Sequence, residues 1–112
     1  MKPIDTFCLF CRIAQGSEPA EKVWENNDFM AIKNKYPDSP LHLLVIPKWH
    51  VEKSETRQSP ENFWKEFFEA VWVVVKQEGL DVSGYVIQNN GAGYNHFEHE
   101  HIHIKSGMPK AN

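Results

Sequence analysis

Six histidines and two cysteines carry most of the chemistry open to this 112-residue chain. His99, His101 and His103 alternate along one short segment, and in an extended strand residues two apart share a face. Each imidazole needs a hydrogen bond, and burial of its charged form is costly. Three on one surface therefore suit metal binding, proton transfer or nucleophilic attack. The plain alternative is an exposed polar strand face, and the clustering argues against it. His96 lies just ahead of this run, and His42 and His50 lie far from it in sequence.

Cys8 and Cys11 are the only cysteines, spaced as Cys-x-x-Cys. Two thiols make no disulfide framework, and the spacing suits metal ligation. A redox pair needs a reactive, partly exposed dithiol that usually follows a strand. Nothing ahead of Cys8 reads as one. Inert apolar cysteines are the remaining alternative.

These groups must be positioned by a small core. Apolar residues make up 41% and aromatics 12% of the chain, enough for one packed domain over residues 1–112. The net charge of −3, with both signs scattered, argues against gripping a nucleic-acid backbone. The longest apolar run, 70–75, is far below the ~20 residues of a membrane span. The N-terminal residues lack the apolar stretch of a secretory signal, so a cytoplasmic protein is expected.

The spacing predicts a short helix over 7–15 stopped by Gly16, then a hairpin at 23–25 and 29–33. A nearly continuous apolar strand follows at 41–46, ended by Pro47. Ser59 reads as an N-cap with Pro60 at the first helical position. Two apolar stripes follow, Phe63, Phe67, Val71, Val74 and Trp64, Phe68, Trp72, Val75, closed by Gly79. A face this wide means either deep burial or a contact with a second subunit. Strands at 85–89 and 98–104 complete the pattern, and residues 106–112 form a polar tail. Without regular βαβ alternation, the class is α+β with a mainly antiparallel sheet.

Taken together, several segments resemble the histidine triad (HIT) family, in its bacterial and archaeal form. His99-Glu100-His101-Ile102-His103-Ile104 is similar to the triad signature. Residues 40–50, with His42 opening a strand that ends in Ile-Pro-Lys-Trp-His50, match a second hallmark. Cys8 and Cys11 followed by Arg12, Ile13, Gly16, Pro19, Val23 and Trp24 match a third, and Asn89-Asn90-Gly91 an Asn-x-Gly turn. The match covers about residues 7–104.

The resemblance implies a five-stranded antiparallel sheet with two helices, in a homodimer. It implies a purine nucleotide as ligand and His101 as the nucleophile on the α-phosphate. His42 and His103 would orient His101 and bind phosphate oxygens, with His99 completing the triad. Asn34 would contact the ribose, Asn89 would belong to the substrate site, and Phe29 and Ile32 would flank the base or only pack the core. It also implies structural Zn²⁺ on Cys8, Cys11, His50 and His99, a closed set of two thiolates and two imidazoles.

The chain departs from the family at 94–96, where Tyr-Asn-His replaces the usual Gly-Gln-Ser or Gly-Gln-Thr. Asn95 would take over the glutamine's hydrogen bonds, and His96 would either bind phosphate as a cation or spoil the site. Glu98 and Glu100 stand where apolar residues are typical, and on a strand they would point away from the triad. The rival functions are a nucleotide sensor with weakened catalysis and a metalloprotein with its metal on the triad itself.

Overall fold

The computed structural model describes residues 6–110. Helix α1 spans Leu9–Gln15, with Cys8 as its N-cap; the thiol accepts from the Cys11 N–H. It stops where Gly16 takes a left-handed conformation, φ 86°, and its N–H reaches back to the carbonyls of Arg12 and Ile13. Strands β1 (Lys22–Glu25) and β2 (Phe29–Lys33) form the expected hairpin, and β3 spans Leu41–Pro47. After β3 come a single helical turn α2 (Lys53–Thr56), the long helix α3 (Glu61–Gln77) and a second single turn α4 (Leu80–Ser83). Strands β4 (Val86–Gln88) and β5 (Ile102–Ser106) close the fold.

The five strands form one sheet in the order β1-β2-β3-β5-β4, with every neighbouring pair antiparallel. Alternation along the central strands divides its two faces. Phe29, Ala31, Leu43, Val45, Ile102 and Ile104 pack beneath α3, against Phe63, Phe67, Val71 and Val74. Met30, Ile32, Leu44 and Ile46 pack on the other face against Phe10 of α1. His42 and His103 sit in the same alternation as Leu44, so the histidines share the α1 face.

Several boundaries differ from expectation. Pro60, not Ser59, is the N-cap of α3, in an extended conformation. The two predicted helices are α1 and α3; α2 and α4 are too short for periodicity to reveal. The last strand begins at Ile102 rather than 98, and reaches Ser106, which was assigned to the tail. Its ladder with β3 ends at the pair Val45–Ile102. Two residues further, β3 reaches Pro47, which has no N–H to donate. Residues 99–100 instead pair with the chain entering α2, through the bridge Glu52–His99 and the bond from Glu100 N to Val51 O, 2.8 Å. No helix among the described residues is long and apolar enough to cross a membrane.

Candidate active site and metal centre

The chain order of the elements brings the histidines into two adjoining groups. His50 follows β3, His99 lies just before β5, and α1 carries the cysteines to them. The Sγ of Cys11 lies 3.3 Å from Nδ1 of His50 and 3.5 Å from Nδ1 of His99, and Cys8 Sγ lies 3.3 Å from the latter. All four donor atoms fall within 4.8 Å of one another. Zinc–sulfur and zinc–nitrogen bonds of ~2.3 and ~2.0 Å arranged tetrahedrally give donor separations of roughly 3.5 Å, so the set fits a metal ion. The outer nitrogens are engaged as such a site requires. His99 Nε2 donates to the Pro47 carbonyl at 3.0 Å, and His50 Nε2 to Glu52 Oε2 at 3.0 Å. Burial pushes the His99 pKa down to about 4, keeping the ring in its neutral, ligating form.

The second group is His42, His101 and His103. The Asp38 backbone N–H donates to His42 Nδ1 at 3.2 Å, so the proton of His42 sits on Nε2. That nitrogen lies 2.8 Å from His103 Nδ1 and donates to it. The proton of His103 is therefore on Nε2, which is buried without a partner among the described residues. His101 faces the same space, its ring centroid 4.9 Å from that of His103. Its Nδ1 donates to the His99 carbonyl at 2.8 Å, which leaves the Nε2 lone pair free. Two separate sets of hydrogen bonds thus place a nucleophilic nitrogen on His101 beside an unused N–H donor on His103. Phe10 covers the pair from α1, its ring 5.3 Å from that of His101.

Burial lowers the pKa of all three rings, that of His103 to about 4 with help from His101 and His42. The unfolded ring titrates near 6.5. Between these values the unfolded chain binds more protons, so His103 contributes stability that is present above 6.5 and lost as pH falls towards 4. Urea midpoints at about pH 4.5 and about pH 7 should therefore differ less in His103→Asn than in the wild type, at equal metal content. An unchanged difference would contradict the assigned protonation.

Other candidates are placed as follows. Asn34 lies beside His42, its Nδ2 3.3 Å from His42 Nε2, while its Oδ1 accepts from the Tyr36 N–H. Ile32 lines a cleft of about 220 Å³ on the histidine face, with Ile13, Pro19 and Met30. Phe29 does not flank it. That ring lies on the opposite face, tilted against Phe67 at 5.0 Å between centroids, so its role is packing. Asn89 turns its Nδ2 inward, donating to Glu100 Oε1 at 2.8 Å and to the His101 carbonyl at 2.9 Å. Asn95 is held inside its own loop, donating to Gly91 O and Glu98 Oε2, and its Oδ1 is buried without a partner. Glu98 also accepts from the Gly93 N–H, which with Asn95 holds its carboxyl below the usual range. His96 is exposed on that loop. His99 belongs with the cysteines rather than with the reacting pair. Sequence reasoning missed Lys53 and Thr56, which lie beneath His101; a charged residue and a hydroxyl in a single helical turn leave no periodic signal.

Comparisons agree with this geometry. The HIT domain family model matches residues 15–110. An uncharacterised HIT-like protein of Chlamydia muridarum is 36% identical over 101 residues, covering 88% of this chain and 80% of that protein. A histidine triad protein structure from Clostridium difficile superimposes with a TM-score of 0.85 at 29% identity, covering 96% of each chain. A HIT family hydrolase from Legionella pneumophila Philadelphia 1 superimposes with 0.81 at 31% identity, covering 91% of this chain and 94% of that one. With its fold, its alternating histidines and these relatives in agreement, the chain belongs to the HIT domain family.

Proposed function

We propose that the protein hydrolyses or transfers the nucleoside monophosphate group of a purine nucleoside phosphoramidate, adenylylated amine or dinucleoside polyphosphate. The observation that carries this reading is the fixed tautomer of His101, with Nδ1–H on the His99 carbonyl and Nε2 open beside the unpartnered N–H of His103. A neutral imidazole is a competent nucleophile near pH 7. Nε2 attacks the α-phosphorus, forming a P–N bond while the bond to the leaving group breaks and that group departs. The positive charge gained by the ring is stabilised by the carbonyl already bonded to Nδ1–H. His103 Nε2–H donates to a phosphate oxygen, whose charge grows in the transition state. Water then cleaves the P–N bond and releases the nucleoside monophosphate. Asn34, beside His42, is read as the ribose contact, and the cleft beside Ile32, whose lining also holds Glu18 and Lys22, as the place of the base. A larger cleft of about 320 Å³ on the α3 face carries Asp28, Glu66 and Glu69, a poor setting for a phosphate.

The metal centre is read as structural zinc, holding α1 against the sheet. A metal on the triad itself is less favoured, since among the described residues only the Cys8, Cys11, His50 and His99 group gathers its donor atoms within 4.8 Å of one another. The exposed run of Trp72, Tyr85 and Val86, flanked by the partly buried Phe68, with ring centroids 5.9 and 6.4 Å apart, continues onto the edge strand β4 and suits a homodimer face.

Incubation with adenosine 5′-phosphoramidate and with diadenosine polyphosphates tests the reading, the expected product being AMP. A second reading has a specific support: the self-contained hydrogen bonding of Asn95 removes a donor from the phosphate loop, as a nucleotide sensor would tolerate. Tight AMP binding by folded, metal-loaded protein without any turnover would favour the sensor.

A further inference from the structure

Beneath the histidine face lies a buried charged network. Lys53 Nζ and Glu100 Oε1 are 2.5 Å apart, with side chains 1% and 2% exposed. Thr56 Oγ1 donates to the other carboxylate oxygen at 2.8 Å, and Asn89 Nδ2 donates to Oε1. Desolvating two charges is expensive, and apolar residues of similar size commonly fill such a space without loss of stability. Stability alone therefore gives the pair no reason to exist.

What the network holds is the backbone of one residue. The His101 N–H donates to Glu100 Oε1 at 2.9 Å. The His101 carbonyl accepts from Asn89 Nδ2 at 2.9 Å and from Lys53 Nζ at 3.3 Å. The β3 ladder ends at Ile102 and the β4 ladder at His103, so neither neighbouring strand pairs with His101. Side chains stand in for the missing strand at the residue whose orientation matters most. Lys53 also neutralises Glu100, so the carboxylate beneath the site does not repel an incoming phosphate.

We propose that Lys53 and Glu100, with Thr56 and Asn89, are positioning residues that clamp the peptide groups on both sides of His101 and so aim its Nε2. This rests on the reading of His101 as nucleophile. A displacement of about 1 Å at a reacting atom can cost ~100-fold in rate.

The test compares two neutral replacements of the pair. Lys53→Met/Glu100→Leu removes the acceptor for the His101 N–H, whereas Lys53→Met/Glu100→Gln keeps one. With adenosine 5′-phosphoramidate, kcat of the Leu variant should fall about 100-fold, with KM and AMP affinity within about threefold. Its melting temperature should fall by no more than roughly 5–15 °C, the cost of leaving the His101 N–H without an acceptor, and exchange of the His101 amide hydrogen should quicken at least about tenfold. The Gln variant should recover to within about tenfold of wild-type kcat, since the hydrogen bond returns without the charge. Equal kcat in the two variants, or wild-type kcat in the Leu variant, overturns the proposal. If the wild-type protein turns over no nucleotide, the hydrolase reading fails by itself. The clamp is then judged by amide exchange, and unchanged exchange at His101 in the Leu variant refutes it.

Discussion

Replacing His101 by asparagine should lower kcat for a nucleoside 5′-phosphoramidate by at least about 10⁴-fold, the scale on which covalent catalysis depends on its nucleophile. Asparagine keeps a side-chain N–H for the His99 carbonyl, so the local backbone has no new reason to move. It has no lone pair able to form a labile P–N bond. AMP affinity should stay within about threefold, because the ribose and base contacts lie elsewhere and His103 retains its free N–H. Rapid quench with mass spectrometry should detect a nucleotidyl adduct in the wild-type protein and none in the variant. His42→Asn should be milder, since His42 acts by fixing the tautomer of His103 rather than by touching phosphorus. Should His101→Asn keep more than about a tenth of the wild-type kcat, attack by this residue is ruled out.

The histidine alternation, the Cys-x-x-Cys pair and the order of elements were legible because each rests on alternation or short spacing, whereas the roles given to His101, His50 and His99 came from the family resemblance. His99, His101 and His103 fall at every second position, and the apolar run of β3 announces a central strand. What could not be read was how the chain behaves where the ladder stops. Pro47 removes a donor opposite residue 100, so the segment holding His99 and His101 leaves β3 and pairs with residues 51–53. That detour buries Lys53 and Glu100, two residues whose types predict exposure. It also draws the Asn89 amide to the His101 carbonyl. The amide hydrogens of Asn95 likewise have a local partner in Glu98, three residues on. Phe29 was placed on the wrong face only as a base contact; its packing alternative follows from β2 alternation, since Met30 and Ile32 point to the histidines.

Removing the metal should produce the largest loss of stability short of disrupting the core. The four candidate ligands come from three separate places in the chain, and on the sheet side α1 packs through Phe10 and its neighbours. An ion that binds the folded form alone stabilises it by about 4 kcal/mol when free metal is a thousandfold above Kd. For a domain of this size that is roughly 15–20 °C in melting temperature. Metal analysis should find one zinc per chain, absent from Cys11→Ser and retained in His101→Asn and His103→Asn. Chelation and Cys11→Ser should lower the melting temperature alike, and zinc should restore only the chelated wild type. The loss should reach the reaction as well. His99 would offer Nδ1 to a bound metal while its carbonyl accepts from the His101 ring, so loosening the one should loosen the hydrogen bond that holds the His101 proton on Nδ1. Zinc that persists in Cys11→Ser but departs with His103 would move the metal to the triad and remove the nucleophile from the mechanism.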